Sequence, residues 1–119
     1  NAGHLVTVSS MSAKRGLPKH LTTYAASKAG LASLSEGIRA ELLNTPIKVT
    51  TLFPGYIRTE LNEGAGKLPF EVSAEVGARA LVNAIDREPS TACVPSQPWA
   101  IIGFLMQHLP LRWVAKLGG

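Results

Sequence analysis

Apolar residues along this chain follow two patterns, which together predict strands that alternate with helices. The β-branched runs HLVTVSS, IKVTTLF and TACVPS, at residues 4–10, 47–53 and 91–96, are typical of buried strands in parallel sheets. Between the first two runs, apolar residues spaced by three and four predict a helix from about residue 22 to residue 43. Its predicted apolar face consists of Leu31, Leu34, Ile38 and Leu42.

Short polar residues mark the predicted helix starts. Thr22 or Thr23 can cap the first helix, and residues 11–21 before it are typical of a loop. Ser73 can cap a second helix, with Glu75 well placed in its first turn. The buried stripe of that helix is predicted at Val76, Ala80, Leu81, Ala84 and Ile85.

The order of these elements predicts the fold class. Strands that alternate with helices form parallel sheets with right-handed crossovers, which indicates an α/β fold. Three strands make a thin sheet, and a buried parallel sheet needs helices on both faces. We therefore expect one partial domain, the C-terminal half of a Rossmann-like doubly wound parallel sheet whose N-terminal nucleotide-binding half is absent. Residues 1–97 would form its core, and residues 98–119 an apolar tail helix interrupted at Pro110.

Composition narrows the classes of function. The 119 residues are 45% hydrophobic and 17% charged, as in an ordinary globular domain. The net charge is +4, but the basic group of Lys14, Arg15 and Lys19 has no interleaved aromatic residues, so we expect no nucleic-acid partner. The chain opens without a signal-peptide pattern, and its apolar run at residues 99–106 is shorter than the ~20 residues of a spanning helix. We expect a soluble, cytoplasmic protein.

Metal and disulfide chemistry are not indicated. Cys93 is the only cysteine, which precludes an intrachain disulfide, and we expect it to be a small buried hydrophobe in the third strand. The three histidines lack the spacing of a zinc site, and we expect no metal ligand among His4, His20 and His108.

Candidate chemistry collects at the predicted carboxyl ends of the strands, where open α/β sheets bind ligands. Ser9 and Ser10 end the first strand, and a Pro-Gly turn at residues 54–55 ends the second. The stretch YAASK places Tyr24 and Lys28 one turn apart at the start of the first helix, on the same edge of the sheet.

A tyrosine beside a lysine on a helix has two interpretations. In most helices it is a packed tyrosine next to a solvated lysine. A cation and the positive end of a helix nevertheless favour a phenolate, which suits proton exchange with an alcohol or carbonyl oxygen. Because the serines and the Pro-Gly turn are predicted at the same edge, we favour the catalytic interpretation, with a serine hydroxyl holding the substrate oxygen.

The combination VSSMSAKRGLP, YAASKAGLASLSEGIRAEL and VTTLFPGYIRTEL resembles the C-terminal half of a short-chain dehydrogenase/reductase, over about residues 4–85. The resemblance implies an NAD(P)-dependent oxidoreductase that interconverts a secondary alcohol and a ketone, with NAD or NADP as its cofactor. It implies that Tyr24 is the catalytic acid/base. It also implies that Lys28 binds the nicotinamide ribose and promotes ionisation of the tyrosine, and that Ser10 orients the substrate oxygen.

The same resemblance implies further cofactor contacts after the second strand. Pro54, Gly55 and Thr59 would contact the nicotinamide end of the cofactor, and the backbone of Ile57 would meet its carboxamide. Residues 56–70 would form a lid over the substrate.

Two features depart from the family pattern. The family's serine lies one residue nearer to the tyrosine than Ser10 does, at the position of Met11, so we infer a one-residue insertion before Tyr24 and keep Ser12 and Ser9 as alternatives. The family's glycine-rich turn, T-G-x-x-x-G-x-G, does not occur in the chain. The tetrad asparagine and the residue that selects NAD or NADP are also missing, so we expect half a site.

The sequence is compatible with several roles for the apolar tail at residues 98–119. We expect it to cover the sheet or to form a homo-oligomer interface. A wall for a lipid-like substrate, or a membrane-surface helix with Arg112 and Lys116 toward anionic headgroups, stays open as well. The alternative function is a catalytically inactive fragment or an interaction module that lacks the cofactor-binding half.

Overall fold

The computed structural model describes residues 2–58, 68 and 70–118. In this part of the chain, strands alternate with helices as the sequence predicts. The strands are β1 (Gly3–Val8), β2 (Ile47–Pro54) and β3 (Thr91–Val94), and the helices are α1 (Leu21–Glu41), α2 (Ala74–Arg87), α3 (Ser96–His108) and α4 (Leu111–Gly118). A short 3-10 helix, Met11–Lys14, occupies the start of the segment predicted as a loop.

The strands form one parallel sheet in the order β1-β2-β3. Val6 of β1 lies opposite Thr50, and Phe53 of β2 lies opposite Cys93. The central strand β2 is buried continuously over residues 49–53, as expected of a parallel strand that is covered on both faces. The predicted α/β class with a parallel sheet is confirmed.

Successive residues of β2 point to opposite faces of the sheet and belong to two separate cores. On one face, Phe53 packs with Met11 of the 3-10 helix and Trp99 of α3. On the other face, Leu52 packs with Ala84 of α2. Helices therefore cover both faces of the thin sheet.

The predicted cap of α1 is wrong. The helix begins at Leu21 after His20, which makes no side-chain capping bond. Thr22 donates its hydroxyl to the carbonyl of Leu17 at 2.8 Å, so it ties the preceding loop to the helix. Since Thr22 and Thr23 both lie inside α1, neither is its cap.

The buried face of α1 also differs from the prediction. Leu34, expected in the core, is 62% exposed, whereas its neighbour Ser35 is 1% exposed. Ser35 tolerates burial because its hydroxyl donates to the carbonyl of Leu31 at 2.8 Å and also bonds the Thr7 hydroxyl at 2.7 Å. A satisfied serine thus occupies the face that leucine spacing alone would assign to Leu34.

Helix α2 confirms its predicted cap. The hydroxyl of Ser73 accepts a hydrogen bond from the backbone N–H of Val76 at 3.2 Å, and Glu75 lies in the first turn. Ala84 is buried within the predicted stripe, but Val76 at the beginning of the stripe is 47% exposed.

The tail is helical on both sides of Pro110, as predicted, although β3 ends two residues earlier than expected, at Val94. Arg15 fixes the tail to the core, because its guanidinium donates to the carbonyls of Met106 and Leu109 at 2.7 and 2.8 Å. A cation at the end of α3 also faces the negative end of the helix. Among the described residues, no helix has the length and apolarity needed to cross a membrane.

Candidate functional site

The carboxyl ends of the parallel strands meet at one edge of the sheet. The backbone N–H of Ser9, just after β1, donates to the carbonyl of Leu52 at 2.8 Å. The N–H of Gly55, just after β2, donates to the carbonyl of Val94 at 2.9 Å. These two bonds continue the sheet beyond the strand ends, so the Ser9–Ser10 pair and the Pro-Gly turn lie on the same rim.

The two strand-end serines have different roles in the structure. Ser9 is 3% exposed, and its hydroxyl donates to the backbone carbonyl of Lys28 at 2.7 Å, which joins β1 to α1. Ser10 is half-buried, and its hydroxyl oxygen accepts a bond from the backbone N–H of Ser12 at 3.1 Å. Ser9 is therefore engaged in holding the fold, whereas the oxygen of Ser10 caps the 3-10 helix directly at the rim.

Tyr24 and Lys28 lie together at this rim. Tyr24 is in the first turn of α1 and is 45% exposed. The Lys28 ammonium lies 5.8 Å from the centre of the Tyr24 ring, within the reach of a cation–π interaction. The same ammonium donates to the carbonyl of Val8, the last residue of β1, at 3.3 Å. The lysine thus places a positive charge between the strand end and the tyrosine ring, next to the positive end of the helix.

The Pro-Gly turn is covered by an aromatic group that sequence reasoning did not assign to the site. A Cβ on Gly55 would overlap the indole of Trp99, so only glycine fits beneath this ring. Tyr56 and Phe70 meet the indole edge-on, with ring centres 5.7 and 6.2 Å away. We call Tyr56, Phe70 and Trp99 the aromatic wall. The sequence features that could have indicated this contact are the glycine after a strand-end proline and the tryptophan in the tail.

The indole of Trp99 is 5% exposed, and its Nε1–H has no hydrogen-bond partner among the described residues. Buried donors without a partner are rare and costly in native proteins. The aromatic wall therefore combines a large apolar surface with one unsatisfied donor, next to the strand-end turn.

The segment after the turn returns to pair with the residues before α2. Ile57 forms a parallel bridge with Val72, through bonds from the Arg58 N–H to Val72 (2.8 Å) and from the Val72 N–H to Tyr56 (3.0 Å). The Arg58 guanidinium also pairs with the Glu71 carboxylate at 2.7 Å. This pairing places the backbone at Ile57 beside the rim, whereas the predicted cofactor contact Thr59 lies outside the described residues.

Cys93 lies in β3, and its half-buried side chain packs against the core of Met11, Phe53 and Trp99. Burial raises the pKa of the Cys93 thiol, and the nearby charge of Lys14 opposes this effect. Both effects together leave the pKa raised, which favours the thiol over the thiolate, although the side chain is half-buried rather than buried as the sequence predicts. Within the described ranges, no group of His, Cys, Asp and Glu side chains has the geometry of a metal site.

The sequence model of the short chain dehydrogenase family matches residues 1–68. The chain therefore belongs to the short-chain dehydrogenase/reductase family. An uncharacterized oxidoreductase of Mycobacterium tuberculosis is 47% identical over 111 residues, which are 93% of this chain and 44% of that protein. A dehydrogenase/reductase SDR family protein 7-like of Drosophila melanogaster is 38% identical over 64 residues, which are 54% of this chain and 19% of that protein. The chain thus spans less than half the length of these curated relatives.

The fold has a close counterpart among solved structures. A short chain dehydrogenase from Burkholderia cenocepacia, crystallised in complex with NADP, superposes with a TM-score of 0.75 at 27% identity. The superposition covers 94% of this chain and 49% of that one. A short-chain dehydrogenase/reductase from Mycobacterium ulcerans, at 20% identity and a TM-score of 0.62, supports the fold alone.

Proposed function

We propose that the protein is an NAD(P)-dependent oxidoreductase that interconverts a secondary alcohol and a ketone. The observation that carries this proposal is the position of the Lys28 ammonium, which bonds the end of β1 and faces the Tyr24 ring at one strand-end rim. The family match supports the reaction class, and the solved neighbour that holds NADP supports a nicotinamide cofactor, either NAD or NADP.

The residues at the rim fit a nicotinamide cofactor. Lys28 offers an ammonium that can bond ribose hydroxyls. Gly55 has no side chain to keep a flat ring from its backbone, but the indole of Trp99 occupies that position in the structure, so a nicotinamide ring at the turn would have to displace the indole. Pro54, Gly55 and the backbone of Ile57 would hold the nicotinamide end. When bound, the cofactor supplies the hydride chemistry, and the protein supplies geometry and charge.

Three side chains at the rim have separate roles in the proposed reaction. Tyr24, partly exposed, exchanges the proton with the substrate oxygen. Lys28 keeps a positive charge beside the phenol, and Ser10 orients the substrate oxygen through its hydroxyl. The aromatic wall favours an apolar substrate, because it presents rings rather than charges next to the turn.

The decisive experiment compares the full-length protein with its Tyr24→Phe variant. Turnover of a panel of apolar secondary alcohols is followed by formation of NADH or NADPH, and cofactor affinity is measured separately by titration. Removing the phenol hydroxyl should lower kcat by about 10²–10⁴-fold, the usual contribution of a general acid or base, while the cofactor Kd stays nearly unchanged. Turnover retained by Tyr24→Phe would remove this residue from its proposed role.

A second candidate, an interaction module without catalysis, is favoured by the apolar side chains that β1 exposes. Leu5 and Val8 are 41% and 47% exposed. Apolar side chains on an edge strand such as β1 are typical of surfaces that bind a further chain. Cofactor titration separates the candidates, because a pure interaction module would bind neither NAD nor NADP.

A further inference from the structure

Helix α3 carries apolar residues on two opposite sides. One side is formed by Trp99, Ile102, Gly103 and Met106, at helical spacing, and packs on the core around Phe53. The other side, which we call the outer face, consists of Ile101, Phe104 and Leu105. These side chains are 59%, 60% and 43% exposed. A surface helix that packs through one stripe needs polar residues on its opposite side, so the outer face requires a separate explanation.

The orientation of α3 is fixed, so the outer face cannot turn inward. Arg15 holds the end of the helix through two bonds to its last carbonyls. In the middle of the helix, Gly103 lies so close to the 3-10 helix that an added Cβ would be 3.0 Å from the Cε of Met11. These two contacts hold α3 in an orientation in which the outer face points away from the core.

The charged side chains of the segment that contains the outer face have one sign. No Asp or Glu occurs in the sequence after Glu88, so the whole segment from β3 to the end of the chain lacks carboxylate side chains. Arg112 and Lys116 of α4 are exposed, and Trp113 between them is 52% exposed. Exposed aromatic and aliphatic side chains accompanied only by cations are the combination that lies at the headgroup level of an anionic bilayer.

We propose that the outer face of α3, together with Arg112, Trp113 and Lys116 of α4, binds a membrane surface that contains anionic lipids. A second copy of the chain is a poorer occupant. In symmetric pairing, the same segment of the second copy would offer no carboxylate to pair with these cations. A lipid surface instead satisfies both features, since acyl chains take up the apolar side chains and phosphates pair with the cations.

The test is co-sedimentation of the full-length protein with vesicles of phosphatidylcholine, with and without phosphatidylserine. We expect binding that needs phosphatidylserine and weakens strongly at about 1 M salt, where exposed charges are screened. Ile101→Ser combined with Phe104→Ser should abolish binding. Arg112→Gln combined with Lys116→Gln should weaken it by about 30-fold, because each cation near an anionic surface contributes about fivefold to binding.

Matched controls lie elsewhere on the surface. Leu34→Ser removes an apolar side chain that is 62% exposed on α1, and Lys48→Gln with Arg87→Gln removes two exposed cations outside the tail. These controls should bind vesicles like the unmodified protein. The proposal is wrong if phosphatidylserine does not increase binding of the protein to vesicles, or if the tail variants bind vesicles as well as the controls do. It is also wrong if light scattering shows an oligomer that the Ile101→Ser and Phe104→Ser pair dissociates, because the outer face would then be a subunit interface.

Discussion

Replacing Gly55 with alanine tests whether the strand-end turn and the tail pack as one unit. A Cβ at this position would overlap the indole of Trp99, which is 5% exposed and held between Tyr56 and Phe70. The ring cannot move away without giving up these edge-on contacts. Alanine therefore forces either the indole or the turn to shift.

The magnitude follows from two opposing effects. Overpacking of a closely packed site costs about 1–3 kcal/mol. Alanine also lowers the conformational entropy of the unfolded chain, which stabilises the folded protein by about 0.4–1 kcal/mol where the native backbone suits alanine. The backbone of Gly55 meets this condition, because no described glycine has a positive φ. We expect Gly55→Ala to lower the free energy of unfolding by about 1–2 kcal/mol.

Urea unfolding of the full-length protein measures this change, with an expected fall in midpoint of about 0.5–1 M. Gly37→Ala in α1 is the matched control, because its added Cβ meets no atom within 4 Å and should stabilise the helix by about 1 kcal/mol. In a Trp99→Leu background, Gly55→Ala should cost about 1 kcal/mol less than it does alone. Equal costs in both backgrounds would refute the packing of Trp99 on Gly55.

Three other outcomes are expected. Lys28→Met should weaken cofactor binding and lower kcat together, whereas Lys48→Met, on the exposed part of β2, should change neither; steady-state kinetics and cofactor titration measure both. Ser73→Ala should lower the free energy of unfolding by about 1 kcal/mol in urea, because α2 loses its capping bond. Because burial raises the pKa of Cys93, its alkylation at pH 8 should be slower than that of a free cysteine and should accelerate as pH rises; a rate equal to that of free cysteine would contradict this.

The sequence predicts those parts of the fold that depend on local spacing. The strands, the helix order and the cap at Ser73 follow from patterns within a few residues, and the structure confirms them. The meeting of the strand-end serines with the Pro-Gly turn also follows, because parallel strands place their carboxyl ends on one edge. The roles of Tyr24 and Lys28 stay predictions, although the structure brings the two side chains together.

The features that the sequence does not predict are contacts between distant segments of the chain. Leucine spacing could not distinguish Leu34 from Ser35 as the buried residue, because the answer depends on a hydroxyl of Thr7 in another element. Likewise, the packing of Trp99 on Gly55 depends on the path of the tail across the sheet, which no local pattern encodes.

The bonds from Arg15 to the end of α3 have a mechanical consequence. Arg15 directly follows the 3-10 helix that Ser10 caps, so its side chain adds a polar link between the rim of the sheet and the tail to the packing of Trp99 on Gly55 and Met11. Displacement of α3 would therefore disturb the 3-10 helix that Ser10 caps, both through this guanidinium and through the packing of Trp99 and Gly103 against Met11. The anchoring of the tail and the position of Ser10 are therefore coupled in this chain.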